Sequence, residues 1–534
     1  MFKIISSQKN TQIKVMLLSL IISITSPLTA WSDDYIIGIK TGVSREILDY
    51  EEDKSNLILR GGAVLDIPDT FSFNYTAIRN IDNDTFSYTW NLQVKEVSGF
   101  VNFTAGNYNL HFGSGLMMGR KSYSSGDPFS KKISIAKERT IVPSNSGNPQ
   151  YSLYGTVFEF YKSFEELKIY FIPFFSIQRR FISRQSFESG SIDSSLFSLN
   201  SKIEKSGNNT EPVNIINYGG VAGLQTLSLF NFQIYYFETD LKGDSGKDIL
   251  WDKNKYYSRD GADLIKQGGL FAEYADNNIS LFIEPAFSSI TGSEVVTGYA
   301  MAWGAGIQNH LMNFSVKGKN SGYNFHSEYS SGSRTPERIW ELKCGISPHR
   351  IFKTGFIVYT EKDLVPGYNK KYIEGSVEEE IFSTLNTEKI DIDMNFKRRE
   401  YYSTDREHPI NQGNLSASLS LSDRIYLKVR SSAQKKDEGI SGLGGCEVRY
   451  LFSGYMGLSM GYTRIVIKGE NPLYAMITPA SEHSSITRFD ESAHGVSVNL
   501  KYKKEKNSFY IRFTVTQNDS GREGDAESAL VLFF

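Results

Sequence analysis

The chain has 534 residues, with 58 lysines and arginines against 60 aspartates and glutamates, and a mean hydropathy of −0.33. This near-neutral balance provides no electrostatic footprint for nucleic acid, so we expect no nucleic-acid partner. The low hydropathy excludes a membrane protein of many helices, because each helical span needs about 20 mostly apolar residues. Aromatic residues make up 13% of the chain and glycines number 45, a mixture typical of many short strands.

The first thirty residues have the order of a secretory signal peptide. Lysines are the only charged residues up to Lys14, residues 15–24 are apolar apart from two serines, and small residues follow up to Ala30. This order predicts export with cleavage near Ala30. The apolar stretch is too short to span a bilayer as a helical anchor, which is the alternative interpretation. We therefore expect a signal peptide at 1–30 and one mature domain at 31–534.

The C-terminal third alternates strictly between apolar and polar residues. Runs of this kind predict long, half-apolar strands. They occur at 415–430, 446–462, 494–504 and 509–515. Short turns at 422–423, 453–454 and 504–507 alternate with long polar connections at 400–413, 434–442 and 468–492. A soluble sandwich would also alternate, but long strands with short turns on one side and long loops on the other are typical of an outer-membrane β-barrel.

Strand-like runs continue back to residue 35, with no clear strand between 310 and 337. An even number is expected when both termini lie on the same side of the membrane. The sequence therefore predicts an all-β fold: a single large transmembrane antiparallel β-barrel of about 24 strands, in a range of about 22 to 26, with short periplasmic turns and long extracellular loops. Four long segments could fold inward, at 111–149, 179–213, 239–266 and 468–492.

The last six residues, Ala-Leu-Val-Leu-Phe-Phe, form an apolar run ending at Phe534. A terminal strand that ends in an aromatic residue resembles the insertion signal of bacterial outer-membrane barrels. The resemblance implies that Phe534 is an assembly signal read by the barrel-assembly machinery, and that outer-membrane lipid surrounds the folded chain. The alternative is the buried last strand of a secreted sandwich.

Residues 104–120 read Thr-Ala-Gly-Asn-Tyr-Asn-Leu-His-Phe-Gly-Ser-Gly-Leu-Met-Met-Gly-Arg. This resembles the pattern Gly-Asp-Tyr-x-Leu-x-Phe-Gly-x-Gly-Leu of large uncharacterised outer-membrane β-barrel proteins of Bacteroidetes-type bacteria, often called helix-hairpin-helix proteins. Asn107 replaces the acid of the pattern, Tyr154 replaces an arginine that precedes Gly155, and the helix-hairpin-helix segment is absent. The matching residues are Gly106, Tyr108, Leu110, Phe112, Gly113, Gly115 and Leu116. The resemblance implies a barrel and transfers neither nucleic-acid binding nor a catalytic residue.

Gly106, Gly113 and Gly115 form a structural glycine motif in this segment. Glycines inside a strand-like run indicate a kink, a bulge or a close backbone approach. A phosphate-binding loop would need a lysine and a strand-to-helix context, which are missing here. We therefore expect a structural role for these three glycines.

No residue set in the chain favours enzyme chemistry or a cofactor. None of the seven histidines has a partner at metal-ligand spacing, so we expect no metal site. Cys344 and Cys446 share parity with apolar neighbours on separate strands, which predicts two free thiols. Histidines with acidic or serine neighbours occur at 405–408 and 482–484, but such clusters in long loops are usually only solvated. An outer-membrane enzyme is therefore the third hypothesis, and we expect no enzyme.

Charged residues opposite the apolar face of the strands are candidates for lining the lumen. Any water-filled lumen carries charge, but an acidic sector beside a basic one would also orient and select polar solutes. The acidic candidates are Glu374, Glu378, Glu380, Asp391 and Asp393, and the basic ones are Lys428, Arg430, Arg449, Lys501 and Arg512. The sequence thus favours a channel or a transport or export component for polar solutes. The alternative is a surface-exposed barrel whose long loops bind an envelope partner or a ligand.

Overall fold

The computed structural model describes most of the chain after residue 35. The described residues are 36–49, 54–67, 70–80, 85–97, 99–119, 141–144, 152–183, 191–193, 210–226, 229–243, 250–252, 262–292, 295–322, 324–325, 329–330, 337–364, 375–401, 409–436, 439–468, 473–475, 487–489, 492–504, 507–518 and 522–533. None of them forms a helix long and apolar enough to cross a membrane.

The regular structure of these residues is entirely β. The strands are β1 (Ile36–Asp49), β2 (Lys54–Ile67), β3 (Phe71–Asn80), β4 (Thr85–Val97), β5 (Val101–Leu110), β6 (Met118–Gly119), β7 (Ile141–Pro143), β8 (Leu153–Phe164), β9 (Leu167–Ser183), β10 (Ser191–Asp193), β11 (Thr210–Thr226), β12 (Phe230–Gly243), β13 (Leu250–Asp252), β14 (Ala262–Ala275), β15 (Ile279–Gly292), β16 (Val295–Gln308), β17 (Met312–Ser321), β18 (Tyr329–Ser330), β19 (Glu337–His349), β20 (Phe352–Asp363), β21 (Gly375–Asn386), β22 (Ile390–Tyr401), β23 (Ile410–Ser422), β24 (Ile425–Lys436), β25 (Gly439–Leu451), β26 (Met456–Lys468), β27 (Leu473–Ala475), β28 (Thr487–Phe489), β29 (Ala493–Lys504), β30 (Asn507–Asn518) and β31 (Arg522–Phe533).

Twenty-four strands of ten or more residues in the described ranges form a closed barrel. Each pairs antiparallel with the next long strand along the chain. The first strand then pairs with the last, from Gly38 opposite Phe533 to Ile47 opposite Gly524. The predicted all-β antiparallel barrel is thereby confirmed, and the number of long strands agrees with the predicted number of about 24.

The segment in which the sequence gives no clear strand contains β17. The apolar alternation of β17 stops after Val316, because glycine occupies the next position on that face, residue 318. Gly318 pairs on one side with Trp303 and on the other with Trp340, whose rings lie 5.1 Å apart. A Cβ atom at residue 318 would lie 2.6 Å from the Trp303 ring. The neighbouring tryptophans therefore supply the apolar surface that β17 lacks.

The two ends of the barrel differ in the length of their connections. Eleven connections of two to four residues join the strands at one end, which we call the turn end. The start of β1 and the end of β31 also lie there. The opposite end, the loop end, carries the longest connections, at 111–152, 184–209, 244–261, 322–336 and 469–492.

Several turns at the turn end share one hydrogen-bond pattern. A side-chain oxygen accepts the backbone N–H groups of the second and third residues after it, which satisfies backbone donors outside the ladder. In the turn at Asp276 these donors are Asn278 and Ile279, at 2.7 and 2.6 Å, and they lower the pKa of the Asp276 carboxyl. The corresponding residues are Asn309, Ser422 and Ser453.

One face of the wall exposes an apolar band that begins at the turn end. On three strands four apolar side chains precede the first charged residue of that face. These sets are Phe230, Phe232, Ile234 and Tyr236 before Glu238; Ile390, Ile392, Met394 and Phe396 before Arg398; and Met456, Leu458, Met460 and Tyr462 before Arg464. The free cysteines Cys344 and Cys446 occupy the same face, as their pairing with Phe314 and Tyr462 shows. The prediction of two free thiols is confirmed.

The main apolar core lies on the opposite face, inside the barrel. It is formed by inward side chains of β5, β8, β9, β11, β12, β14, β15, β16 and β19 together with residues of the connections after β5 and β17. In contrast, the inward side chains of β22–β24 and of the turn-end parts of β25, β26 and β29 are largely half-buried or exposed, and only a small apolar cluster around Ile465 and Ala493 is buried towards the loop end of this half, among the described residues. The lumen is therefore filled beside one half of the wall and accessible beside the other.

Candidate functional site

The filled half of the lumen begins where β5 parts from β4. The ladder between these strands ends with Asn91 opposite Gly106, and beyond it β7 pairs with β5 instead. Gly106 has a φ of +91°, and a Cβ atom there would lie 2.2 Å from the carbonyl oxygen of Trp90. Only glycine fits both this backbone conformation and this approach, so Gly106 allows β5 to leave the wall.

Asn107 closes the gap in the ladder that this departure leaves. Its side-chain oxygen accepts the backbone N–H of Trp90 at 3.1 Å, and its amide nitrogen donates to the Ser152 hydroxyl at 3.1 Å. Its carbonyl oxygen accepts the N–H of Ser144 at 3.0 Å. The asparagine that replaces the acid of the resembled pattern thus uses both its acceptor and its donor groups.

Residues 111–119 then lie inside the barrel, and we call them the inner segment. The Gly115 N–H donates to the Phe112 carbonyl at 3.0 Å and closes a turn in which Gly113 and Gly115 have φ values of +53° and +88°. Phe112 is fully buried, with its ring 5.8 Å from that of Tyr235. Leu116 and Met117 are also buried. The glycines thus provide the left-handed backbone and the close approach that their positions in a strand-like run indicate.

A buried carboxylate on the wall anchors this turn. Glu284 of β15 accepts the backbone N–H of Ser114 at 2.6 Å, the hydroxyl of Tyr235 at 2.6 Å, the Ser114 hydroxyl and the N–H of Leu116. The neighbouring Gly113 N–H donates to Gln233 of β12 at 2.9 Å. Successive N–H groups in a turn with left-handed residues form a concavity that suits an anion, and Glu284 occupies it.

The inner segment and Glu284 depend on each other energetically. Glu284 is fully buried, and a buried carboxylate is strongly unfavourable unless hydrogen bonds compensate for lost water. If the inner segment left the lumen, Glu284 would lose every partner except Tyr235. Leaving a buried acceptor unsatisfied costs about 1–3 kcal/mol, and more for a charged group. The anchor therefore favours a lumen that stays filled on this side.

A second connection enters the same half of the lumen. Phe325 is buried, and the Gly322 N–H donates to the Tyr299 carbonyl at 2.8 Å. Farther along, β18 pairs in parallel with β6 of the inner segment, Tyr329 opposite Met118. Two loop-end connections thus meet inside the barrel.

The next part of the wall, from β17 to β22, carries charges in close pairs. Lys319 lies 2.6 Å from Glu337, Lys343 3.2 Å from Glu341, and Lys397 2.6 Å from Glu378. Glu380 accepts a hydrogen bond from Asn395. Of the predicted acidic sector, Glu378 is therefore paired with a lysine, and Glu380 is hydrogen-bonded to a neutral amide. Carboxylate oxygens of Glu337, Glu361 and Asp363 lie within 4.8 Å of one another, but Lys319 already neutralises Glu337.

The accessible half of the lumen contains the remaining predicted lining residues. Asp391, Asp393, Arg449 and Lys501 are exposed, and Lys428 and Arg430 are half-buried. The register puts Asp391 level with Ser418, Lys428 and Glu447 on successive strands. These residues share one face, because Val429 and Val448 hold the apolar face of the same strands. Asp391 and Asp393 of β22 lie two strands away from Lys428 and Arg430 of β24.

Several predictions fall outside the described residues. These are the signal peptide at 1–30, Glu374, Phe534, and the loop clusters at 405–408 and 482–484. The backbone of Arg512 lies in β30, opposite Asn499 on one side and Glu527 on the other.

Sequence reasoning does not single out Glu284, Tyr235 or Gln233. A signal for Glu284 is nevertheless present, since it is the only charged residue between Asp276 and Glu294 in the sequence. Its parity with Ser280 and Ser288 places it on the inner face, where an acid among apolar neighbours needs donors from elsewhere. Alternation alone gives no indication that those donors come from a segment 170 positions earlier.

Comparison with known proteins places the chain in no family. No family model matches it, and no curated protein matches its sequence. Among solved structures it is similar to the siderophore receptor PirA from Pseudomonas aeruginosa, with 9% identity, a TM-score of 0.43, and coverage of 94% of this chain and 81% of that chain. For the P pilus usher PapC translocation pore the identity is 8% and the TM-score 0.42, with coverage of 93% of this chain and 98% of that chain. For OccAB4 of Acinetobacter baumannii the identity is 6% and the TM-score 0.35, with coverage of 95% of this chain and 100% of that chain. The fold assignment accordingly rests on the strand pairing of the chain itself.

Proposed function

We propose that the protein is an outer-membrane channel, or a transport or export component, for polar solutes, which pass along the accessible half of the lumen. The observation that carries this proposal is a closed barrel with an apolar exposed band and a polar inner wall at β22–β29. At about 4.8 Å per strand, 24 strands give a circumference of roughly 115 Å across the strands. Wall side chains alone do not fill so wide a lumen, and barrels of this class hold water or a plug.

The same observations support a location in the bacterial outer membrane. The apolar band would contact lipid, the turn end would face the periplasm and the loop end would face outward. Export through the signal peptide at 1–30 and insertion guided by Phe534 complete this part of the proposal. The inner segment reduces the cross-section and leaves a path beside β22–β29.

Conductance in planar lipid bilayers tests the proposal. Purified barrel whose gel mobility changes on heating should give stable ion-permeable steps, because a water-filled path connects the two ends. Heat-denatured protein from the same preparation is the control and should give none. A correctly folded barrel that never conducts would contradict the channel.

Such a silent barrel would favour the alternative, a surface barrel whose long loops bind an envelope partner or a ligand. The observation that favours this alternative is the meeting of two loop-end connections inside the lumen, β6 with β18. Loops held in this way can present a fixed surface at the loop end.

A further inference from the structure

The two charged regions of the inner wall differ in how their charges are compensated. From β17 to β22, Lys319, Lys343 and Lys397 each have a carboxylate within 3.2 Å. Within the described ranges, no ion pair within 4.0 Å involves any of four cations, Lys428, Arg430, Arg449 and Lys501. Charges compensated in pairs contribute little field to the lumen, whereas uncompensated ones attract counter-ions.

The uncompensated cations lie together near the turn end of adjacent strands. Lys428 and Arg430 are on β24, Arg449 is on β25, and Lys501 is on β29 opposite Gly457 of β26. These four strands are neighbours, so the group spans about 14 Å of wall at about 4.8 Å per strand. We call these four side chains the cationic group.

Only one carboxylate shares this part of the inner wall among the described side chains. Glu447 lies opposite Lys428 and near Arg430, so the cationic group keeps an excess of positive charge. Arg512 is not counted, because the structure describes only its backbone. On the other side, Asp391 and Asp393 are about 10 Å away, two strand spacings across the wall.

Several positions beside the cationic group carry small residues. Gly445, Gly457, Ser459 and Gly461 share the inner face of β25 and β26 with the longer Glu447, and Tyr426 lies opposite Arg449. Arg449 and Lys501 are exposed. Long cationic side chains above a floor of small residues can converge on a solute that carries more than one negative charge.

We propose that the cationic group is a binding site for small multivalent anions, such as phosphates and polycarboxylates, at the turn-end mouth of the lumen. This inference rests on the proposed function and names its substrate class: the path carries anions. Binding at the mouth raises the local anion concentration, because the cationic group keeps an excess of positive charge there.

Two measurements test the site, one with and one without conduction. In bilayers under a KCl gradient, the wild type should favour chloride over potassium. The variant K428A/R430A/R449A/K501A should lose this preference at least about twofold, and the loss should shrink at 1 M salt, where the Debye length is about 3 Å. Isothermal titration of the solubilised barrel with inorganic pyrophosphate should show binding to the wild type and none to this variant.

Two matched variants separate this site from other charge effects. K397A/E378Q removes a compensated pair from the same inner wall, and it should change neither selectivity nor pyrophosphate binding. R424A/R464A removes two cations, one from a turn and one from the apolar face, and should behave like the wild type. If either control reproduced the loss seen in the fourfold variant, the cationic group would not be the site.

The outcomes also distinguish this inference from the proposed function. A conducting barrel whose fourfold variant keeps wild-type selectivity and pyrophosphate binding would overturn the anion site and leave the channel intact. A silent barrel that binds pyrophosphate only with the cationic group intact would support the site and contradict the channel. Wild-type preference for potassium without pyrophosphate binding would overturn the site as well.

Discussion

At the scale of single residues, the close approach of Gly113 to Glu284 leaves no room for a side chain at residue 113 in the turn that holds the inner segment. A Cβ atom at residue 113 would lie 2.6 Å from the carboxyl carbon of Glu284. The φ of +53° is a second obstacle, because left-handed backbone costs a residue with a Cβ roughly 1–2 kcal/mol. The two effects act on the same hydrogen-bonded turn.

We therefore expect Gly113→Ala to loosen the inner segment while the barrel stays closed. When samples are heated to increasing temperatures before electrophoresis, the folded band of this variant should disappear at a lower temperature than that of the wild type. Single-channel records should show larger and noisier steps. Gly444→Ala is the matched control, since nothing lies within 4 Å of a Cβ at that position. Equal behaviour of the two variants in both assays would show that the turn does not hold the segment.

At the scale of the single strand, successive residues of β24 face opposite sides of the barrel wall. Leu427 pairs with Leu419 and Val448 on the apolar face, whereas Lys428 pairs with Ser418 and Glu447 on the inner face. A one-residue shift in register would exchange the two faces.

Leu427→Arg should reduce the folded fraction, because an arginine on the lipid face costs roughly 2–4 kcal/mol near the bilayer midplane. Lys428→Ala should assemble normally, since it only removes a charge from the water-accessible side. Each variant is titrated with urea in lipid vesicles, and the fraction that still migrates as the folded band on a gel measures the difference. Similar midpoints for these two variants would mean that the assignment of lipid and lumen faces is wrong.

Strands with regular alternation could be predicted from the sequence. Strands whose apolar face is completed by side chains of other strands could not. Along β24 and β29 the apolar face is formed by alternate residues of the same strand, such as Val496, Val498 and Leu500. In β17 that face is completed by Trp303 and Trp340 of other strands, so local pattern is insufficient. The anchor at Glu284 was missed for the same reason, since its donors lie 170 positions away. The lumen charges were recognised, but their pairing depends on register between strands.

At the scale of the whole molecule, closure of the barrel joins the two ends of the described chain. The last described residue, Phe533, pairs with the third residue of β1, Gly38, at the turn end. Phe534 directly follows in the sequence, and an aromatic residue after the last strand is the expected assembly signal.

Phe534→Asp should therefore lower the amount of barrel in the outer membrane and leave degraded protein in the periplasm. Phe534→Tyr, which keeps the aromatic ring, is the matched control and should assemble at wild-type levels. Quantitative blotting of membrane and periplasmic fractions measures both. Wild-type membrane levels of the aspartate variant would contradict a role for Phe534 in insertion.

The anchor between Ser114 and Glu284 also bears on the order of folding. The donor Ser114 precedes β8 and the acceptor Glu284 lies on β15, so the contact cannot form before much of the wall has been made. Contacts between such distant positions close slowly, because loop entropy must be lost first. Filling of the lumen is thus a late event, separate from the meeting of β1 with β31. A chain with a broken anchor would still close its wall, and the closed barrel would have a wider interior than the native one.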